Sequence, residues 1–194
     1  MNNVSTVFPY TAGSLNVIFS GNYGKENGVD GYYKVLQLKD SIQILPEILQ
    51  KYGYFTARGI INDKLLSPRG YDTRTSHNEY EDDLNEIHPK LICDTFKEAK
   101  NKPVFLFLQF TRIHTVTVSE ILKKYNWDDK FFYDKIDSNL KKYDKIFEEA
   151  SVYSQKIIET IQKLGKENDT IIIFFADHGT GVGERFGERN YGSF

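Results

Sequence analysis

The sequence lacks several features that would assign a protein to a class at once. Cys93 is the single cysteine among 194 residues, so an internal disulfide and a four-cysteine zinc site are excluded. The 5 prolines and 14 glycines are too few for a disordered or fibrous chain. No apolar run approaches the roughly 20 residues that cross a bilayer. These absences leave one globular domain over residues 1–194 as the expected organisation.

The sequence also has no large excess of positive or negative charge. The 25 Lys and Arg residues nearly balance the 27 Asp and Glu residues, and the formal net charge is -2. Nucleic acid is therefore not expected as a partner, because binding to it depends on many contacts between basic side chains and phosphates. Met1 is followed by polar residues without the charged and apolar regions of a signal peptide. We expect either a cytoplasmic protein or a segment of a longer one that is exported or anchored to a membrane.

The longest apolar runs predict the central strands of a sheet. Residues 104–108 and 170–175 are continuously apolar, as expected for strands that are covered on both faces. Between them, apolar residues recur at helical spacing from Ile136 to Leu164, and Gly165 stands where a helix would end.

Shorter patterns add three more elements. A helix is predicted near residues 42–49, a strand over residues 54–60, and a further helix that begins at Pro89 and buries Ile92 and Phe96. Alternating strands and helices favour a doubly wound, mostly parallel α/β sheet with helices on both faces. Ligands of such sheets bind at the carboxyl ends of the strands.

Two pairs of chemically useful residues follow predicted strands. Asp177 and His178 come directly after residues 170–175, and a carboxylate beside an imidazole suits a divalent metal ion. Arg112 and His114 follow residues 104–108 and could donate to an anionic substrate oxygen. The alternatives are a solvated aspartate with a loop histidine in the first case, and a loop histidine bonded to backbone in the second.

Hydroxyl side chains cluster where a helix is expected to begin near the N-terminus. Thr11 and Ser14 lie in this cluster. A threonine hydroxyl at such a place is either a helix cap or a nucleophile that a metal ion and the positive helix end activate. The residue pattern leaves both interpretations open.

Four segments, taken in order, carry the signatures of one known family. Asp177-His178-Gly179 with Gly183-Glu184 is the most specific of them; the others are residues 11–29, residues 45–57 with Gly-Tyr-x-Thr, and residues 105–115 with a histidine after the strand. The ordered set resembles the sulfatase-like branch of the alkaline phosphatase superfamily. This resemblance implies an alkaline-phosphatase-like fold, incomplete at both ends of this chain, because the family's first strand with its acidic metal ligands and its C-terminal subdomain are not present.

The resemblance also implies a mechanism. By family spacing Thr11 is the nucleophile, in the place where classical sulfatases carry the cysteine of C-x-P-x-R, and Leu15 replaces the arginine. Formylglycine chemistry is therefore excluded, and members with threonine here typically act on phosphate esters or transfer phosphoryl groups. The implied ligands of a divalent ion (Mn, Zn, Ca or Mg) are Asp177, His178 and the Thr11 oxygen, together with a carboxylate from outside this chain. His114 and Arg112 would hold the substrate oxygens.

Three functions are thus expected in a definite order. The first is a metal-dependent hydrolase or group transferase acting on a phosphate or sulfate ester of a small molecule, glycan or lipid head group. The second is a truncated or degenerate domain of the same family that binds an anionic glycan or lipid head group without turnover. The third is a nucleotide-binding module in which Gly179, Gly181 and Gly183 cradle phosphate.

Overall fold

The computed structural model describes residues 5–31, 37–123, 129–186 and 189–190. Its elements, in chain order, are α1 Thr11–Ser20, α2 Gly24–Asn27, α3 Leu45–Lys51, β1 Phe55–Ile60, β2 Thr73–Ser76, α4 Leu84–Ala99, β3 Val104–Leu108, α5 Arg112–Val116, a π-helical turn Thr117–Leu122, α6 Asp129–Tyr133, α7 Ile136–Lys163, a 3-10 turn Glu167–Asp169, β4 Gly181–Val182 and β5 Arg189–Asn190.

The sheet is parallel, with the strand order β2-β1-β3. Ala57 of the central strand lies between Thr73 of β2 and Leu106 of β3. The connection from β1 to β2, residues 61–72, contains no helix. The short strands β4 and β5 form a separate antiparallel pair.

Helices cover both faces of this sheet, as the sequence predicts for an α/β fold. Phe105 and Phe107 of β3 pack into a cluster with α1, whereas Leu106 and Leu108 pack against α4 and α7. The alternation follows from the period of two along a strand, which sends successive side chains to opposite faces. The apolar character of β3 is thus explained by burial on both sides.

The long helix predicted from Ile136 is confirmed as α7, and its end is well defined. Gly165 has a φ of 64° and its N–H donates to the carbonyl of Gln162. Such left-handed backbone favours glycine, so this residue stops the helix where the sequence places the stop. Of the helices that the structure describes, none has the length and apolar content of a membrane span.

The helix predicted to begin at Pro89 begins five residues earlier, at Leu84. The Asp83 carboxylate accepts a hydrogen bond from the Asn85 N–H at 2.8 Å and caps the first turn. Pro89 lies inside α4, where it has no N–H to donate to the carbonyl four residues earlier. The cap, rather than the proline, fixes the start; the expected burial of Ile92 and Phe96 against this core is confirmed.

The prediction of a second central strand over residues 170–175 is wrong. This segment has no strand assignment, and Ile171 and Ile173 are 89% and 74% exposed. A strand needs a neighbour that takes its backbone hydrogen bonds, and an apolar pattern does not supply one. The segment nevertheless lies near β3, since the rings of Phe175 and Phe107 stack with centroids 6.5 Å apart.

Candidate functional site

The site begins at the first turn of α1, where Thr11 is the first helical residue. The residue before it, Tyr10, provides no side-chain cap, and the first turn contains no acidic residue. The first N–H groups of a helix have no partner within the helix, and they carry the positive end of its dipole. Thr11 therefore lies at a helix end that suits an anion, and it is not the cap that one interpretation of the sequence allowed.

The side chains of Thr11 and His178 are in hydrogen-bond contact, although the two residues are 167 positions apart in the sequence. The Thr11 Oγ1 is 3.2 Å from the His178 Nε2. The His178 Nδ1 lies 2.7 Å from the carbonyl oxygen of Gly179, and a carbonyl only accepts, so this nitrogen carries the proton. In the neutral ring Nε2 is then the acceptor, and the Thr11 hydroxyl donates to it.

Asp177 completes a group of three polar side chains. Its Oδ1 accepts from the His178 backbone N–H at 3.0 Å, while its Oδ2 lies 3.8 Å from the His178 Nε2. The His178 side chain is only 7% exposed and that of Asp177 is 26% exposed. A carboxylate oxygen, an imidazole nitrogen and a hydroxyl oxygen therefore converge at one partly covered place.

A strand end does not hold these residues, contrary to the sequence prediction, because residues 170–175 do not form a strand. The N-terminal segment fixes them instead. The Thr6 hydroxyl donates to the Asp177 carbonyl oxygen at 2.7 Å and lies 3.1 Å from the Ser14 hydroxyl oxygen. Ser14 Oγ in turn donates to the carbonyl of Phe8 at 2.8 Å. No local pattern in the sequence indicates this role of Thr6.

Gly13 allows two aromatic rings to pack beneath the first turn of α1. A Cβ at this position would lie 2.6 Å from Phe8 Cγ and 2.8 Å from Tyr10 Cε2. Such distances are far inside van der Waals contact, so any side chain here displaces the rings or the helix start. The glycine is thus a packing requirement next to Thr11.

We expect Gly13→Ala to lower the free energy of unfolding by about 1–3 kcal/mol, the usual cost of overpacking, despite alanine's better helix propensity. Urea titration measures it. Gly179→Ala is the control, because a Cβ there meets nothing within 4 Å. Equal stability of Gly13→Ala and the parent chain would contradict the packing argument.

Arg112 and His114 occupy a different environment. Arg112 Nε pairs with Glu149 Oε2 at 2.9 Å, and both side chains are half exposed. This pair lines a cleft of about 350 Å³ together with the acidic residues 79–83 and with Thr111. His114 follows Arg112 by two residues, about half a turn of α5, and is exposed. The structure thus joins Thr11, Asp177 and His178 directly, and it engages Arg112 with α7.

The two remaining histidines are structural, as the sequence suggests. His77 and His88 are buried with their rings 5.2 Å apart, and His88 Nδ1 lies 2.7 Å from the Tyr153 hydroxyl. Burial lowers the pKa of both, that of His88 to about 3. Both rings therefore stay neutral and serve the core.

The donor set at Thr11 fits a divalent cation. In the described part of the chain, no group of three or more His, Cys, Asp or Glu side chains could hold a metal ion, so a site here depends on a hydroxyl as the third ligand. The contact between His178 Nδ1 and the Gly179 carbonyl is the type of outer bond that orients a metal-binding imidazole. Mixed oxygen and nitrogen donors suit zinc, manganese and similar ions.

The family model described as Sulfatase matches residues 1–193, a range that includes every candidate site residue. No curated protein matches the chain.

Proposed function

The chain belongs to the sulfatase family, and we propose that it cleaves or transfers a phosphate ester through Thr11 with the help of a divalent cation. Membership of the family supports a sulfatase-like hydrolase in the broad sense. The observation that carries the finer proposal is the 3.2 Å contact between Thr11 Oγ1 and His178 Nε2 at the start of α1. It places a hydroxyl, an imidazole and the positive end of a helix at one point.

The preference for phosphate over sulfate rests on the residue at the nucleophile position. The family resemblance places Thr11 where classical sulfatases carry the cysteine that becomes formylglycine. The single cysteine, Cys93, is exposed on α4 and belongs to a different part of the fold. A threonine hydroxyl attacks phosphorus and forms a covalent ester, as nucleophilic catalysis requires.

Groups of this chain account for the attack on phosphorus and for the stabilisation of the charge that develops. With no cation on His178, the Thr11 hydroxyl donates to Nε2; an ion bound by Nε2 would take that lone pair and free the hydroxyl proton. Attack of Oγ1 on phosphorus forms the phosphothreonine and breaks the bond to the leaving oxygen, which departs as the alcohol with the proton that Thr11 loses. Water then cleaves it in a hydrolase, or an acceptor alcohol takes the phosphoryl group in a transferase. The first-turn N–H groups of α1 donate to the charge that develops on the phosphoryl oxygens.

A divalent cation would be held by Asp177, His178 and the Thr11 oxygen. When bound, it would lower the pKa of the hydroxyl and neutralise charge on the ester. The Asp177 carboxylate would supply the negative charge of this site, and the Gly179 carbonyl would keep His178 Nε2 turned toward the ion.

His114 and Arg112 remain predicted contacts of the non-bridging oxygens. Both residues follow the carboxyl end of β3, the edge at which ligands of α/β sheets bind. Arg112 can contact an ester only after its ion pair with Glu149 opens. Exposed ion pairs are weak, about 1 kcal/mol or less, so an anionic ester can displace Glu149.

The experiment that tests the proposal is turnover of three chromogenic esters: an aryl phosphate, a bis-aryl phosphate and an aryl sulfate. Each is assayed with Mn²⁺, Zn²⁺, Mg²⁺ and Ca²⁺ and with a chelator. We expect cation-dependent cleavage of a phosphate ester that exceeds sulfate cleavage. A preference for the sulfate, or turnover that the chelator leaves unchanged, would refute the proposed chemistry. Anion binding without any turnover would favour the non-catalytic domain.

We expect Asp177→Asn to weaken Mn²⁺ binding by about 100-fold or more, because loss of a ligand exceeds the 10- to 100-fold effect of an outer partner. The amide keeps an oxygen that accepts from the His178 N–H, so local structure is preserved. Calorimetric titration of the parent and the variant measures the change. Asp169→Asn, in the 3-10 turn, is the control. Unchanged affinity in Asp177→Asn would remove Asp177 from the ligand set.

A further inference from the structure

A buried arginine lies on the central strand, and the proposed mechanism does not use it. Arg58 of β1 is 0% exposed. Its Nη1 donates to the carbonyls of Leu66 at 2.8 Å and Ser67 at 3.1 Å, and its Nη2 donates to Asp63 Oδ1 at 2.6 Å. All of these acceptors lie in the connection 61–72. A buried charge is retained only where it is paired and hydrogen-bonded in this way.

Residues 61–72 stand where a crossover helix would usually join two parallel strands. Their backbone carbonyls therefore depend on hydrogen bonds from Arg58. Parallel strands are usually joined by a helix, whose backbone groups bond to one another. Residues 61–72 join β1 to β2 without a helix, so buried carbonyls in the connection need other donors. The flat guanidinium supplies several in a fixed geometry, and its carbon also lies 4.9 Å above the centre of the Tyr71 ring.

The connection in turn supports the helix that carries Thr11. Asn16 of α1 is 0% exposed, and its side-chain N–H groups donate to the carbonyl of Leu65 at 3.1 Å and of Ala12 at 2.8 Å. Leu66, next along the connection, packs in the same core cluster as Leu15 and Phe19 of α1. Asn16 thus donates to carbonyl 65 and Arg58 to carbonyls 66 and 67, three consecutive residues of the connection.

We propose that Arg58 and Asn16 are positioning residues for Thr11: Arg58 fixes the connection 61–72, and Asn16 locks α1 onto it, which sets the distance between Thr11 and His178. The inference rests on the proposed function for its kinetic consequence. Its structural consequence, the geometry at His178, does not depend on any substrate. A displacement near 1 Å can cost about 100-fold in rate, so small shifts of α1 matter.

Asn16→Leu is the main test variant, because leucine keeps the volume and loses the hydrogen bonds. We expect a folded protein in which kcat on the best phosphate ester falls about 10- to 100-fold while KM changes less than about 2-fold. Arg58→Lys, which keeps the charge but loses the fork of donors, should act in the same direction. Ile157→Ala of α7 is the control: Ile157 packs in a core cluster with residues of α4 and α7 that includes no residue of α1, so the variant should lose stability and keep its kcat.

A second readout needs no turnover. The chain has four histidines, so the ring nitrogen signals of His178 can be assigned by nuclear magnetic resonance with a His178→Gln reference. The Nε2 signal should shift in Asn16→Leu and Arg58→Lys and stay in place in Ile157→Ala.

The two readouts separate this inference from the proposed function. If the parent chain turns over no ester but the His178 signal moves as described, the function fails and the positioning stands. If the parent is active and folded Asn16→Leu keeps both full kcat and an unmoved His178 signal, the positioning inference is overturned. Should Arg58→Lys fail to fold, the decision rests on Asn16→Leu.

Discussion

Thr11→Ala is expected to lower kcat by about 10⁴-fold or more, the size of effect seen when a nucleophile is removed. The alanine removes the oxygen that lies 3.2 Å from His178 Nε2 and leaves the start of α1 otherwise intact. Steady-state assays with the phosphate ester that the parent chain cleaves best measure the loss. Mn²⁺ affinity should weaken only modestly, because Asp177 and His178 remain.

Two hydroxyl variants make this result specific. Thr11→Ser keeps the attacking oxygen and should retain measurable turnover. Ser14→Ala removes the neighbouring hydroxyl, which bonds to Phe8, and should change kcat less than 10-fold. Activity of Thr11→Ala within 10-fold of the parent would show that another group attacks the ester.

The second large effect is loss of stability in acid, of which His88 is the main expected source. Burial, with a smaller contribution from His77, lowers the pKa of His88 from 6.5 to about 3. The unfolded chain binds a proton below about pH 6.5 that the folded chain does not bind until about pH 3. Stability is therefore complete above pH 6.5 and falls through this window by about 5 kcal/mol, of which about 2 kcal/mol is lost by pH 5. Urea unfolding at several pH values measures the slope.

Replacing His88 with phenylalanine removes the imidazole that takes up a proton when the chain unfolds in acid. His88→Phe is expected to be less stable at pH 7, since the Tyr153 hydroxyl loses its partner, yet its stability should fall less steeply between pH 6.5 and 4. His114→Gln removes an exposed histidine and should follow the slope of the parent. The same slope in His88→Phe and in the parent would mean that His88 does not dominate acid unfolding.

Helices α3, α4 and α7 and strands β1 and β3 could be predicted, because their patterns report burial against neighbours that lie within the described fold. The period of α7 and the glycine after it are local properties, and β3 is apolar because α1 and α4 cover its two faces. Residues 170–175 show the limit of this reasoning. Their composition is that of a buried strand, but the pattern cannot state whether a partner strand is at hand.

The candidate site was predictable in part. Asp177 and His178 were found because a carboxylate and an imidazole stand side by side, and their pairing with Thr11 came from the family resemblance rather than from any local pattern. Arg58 could not be found from sequence, since an arginine in a strand is usually exposed, and its burial depends on carbonyls 66 and 67 several residues further along. Thr6 was missed for the same reason: its partner is 171 positions away.

The most direct test of Thr11 as the nucleophile is to quench the reaction with the preferred phosphate ester during turnover and map the protein by peptide mass spectrometry. A phosphoryl group is expected on the hydroxyl of Thr11, present in the parent chain and missing from Thr11→Ala. Turnover with a phosphoryl group on another residue, or with none on Thr11 under conditions that trap the intermediate, would contradict this assignment.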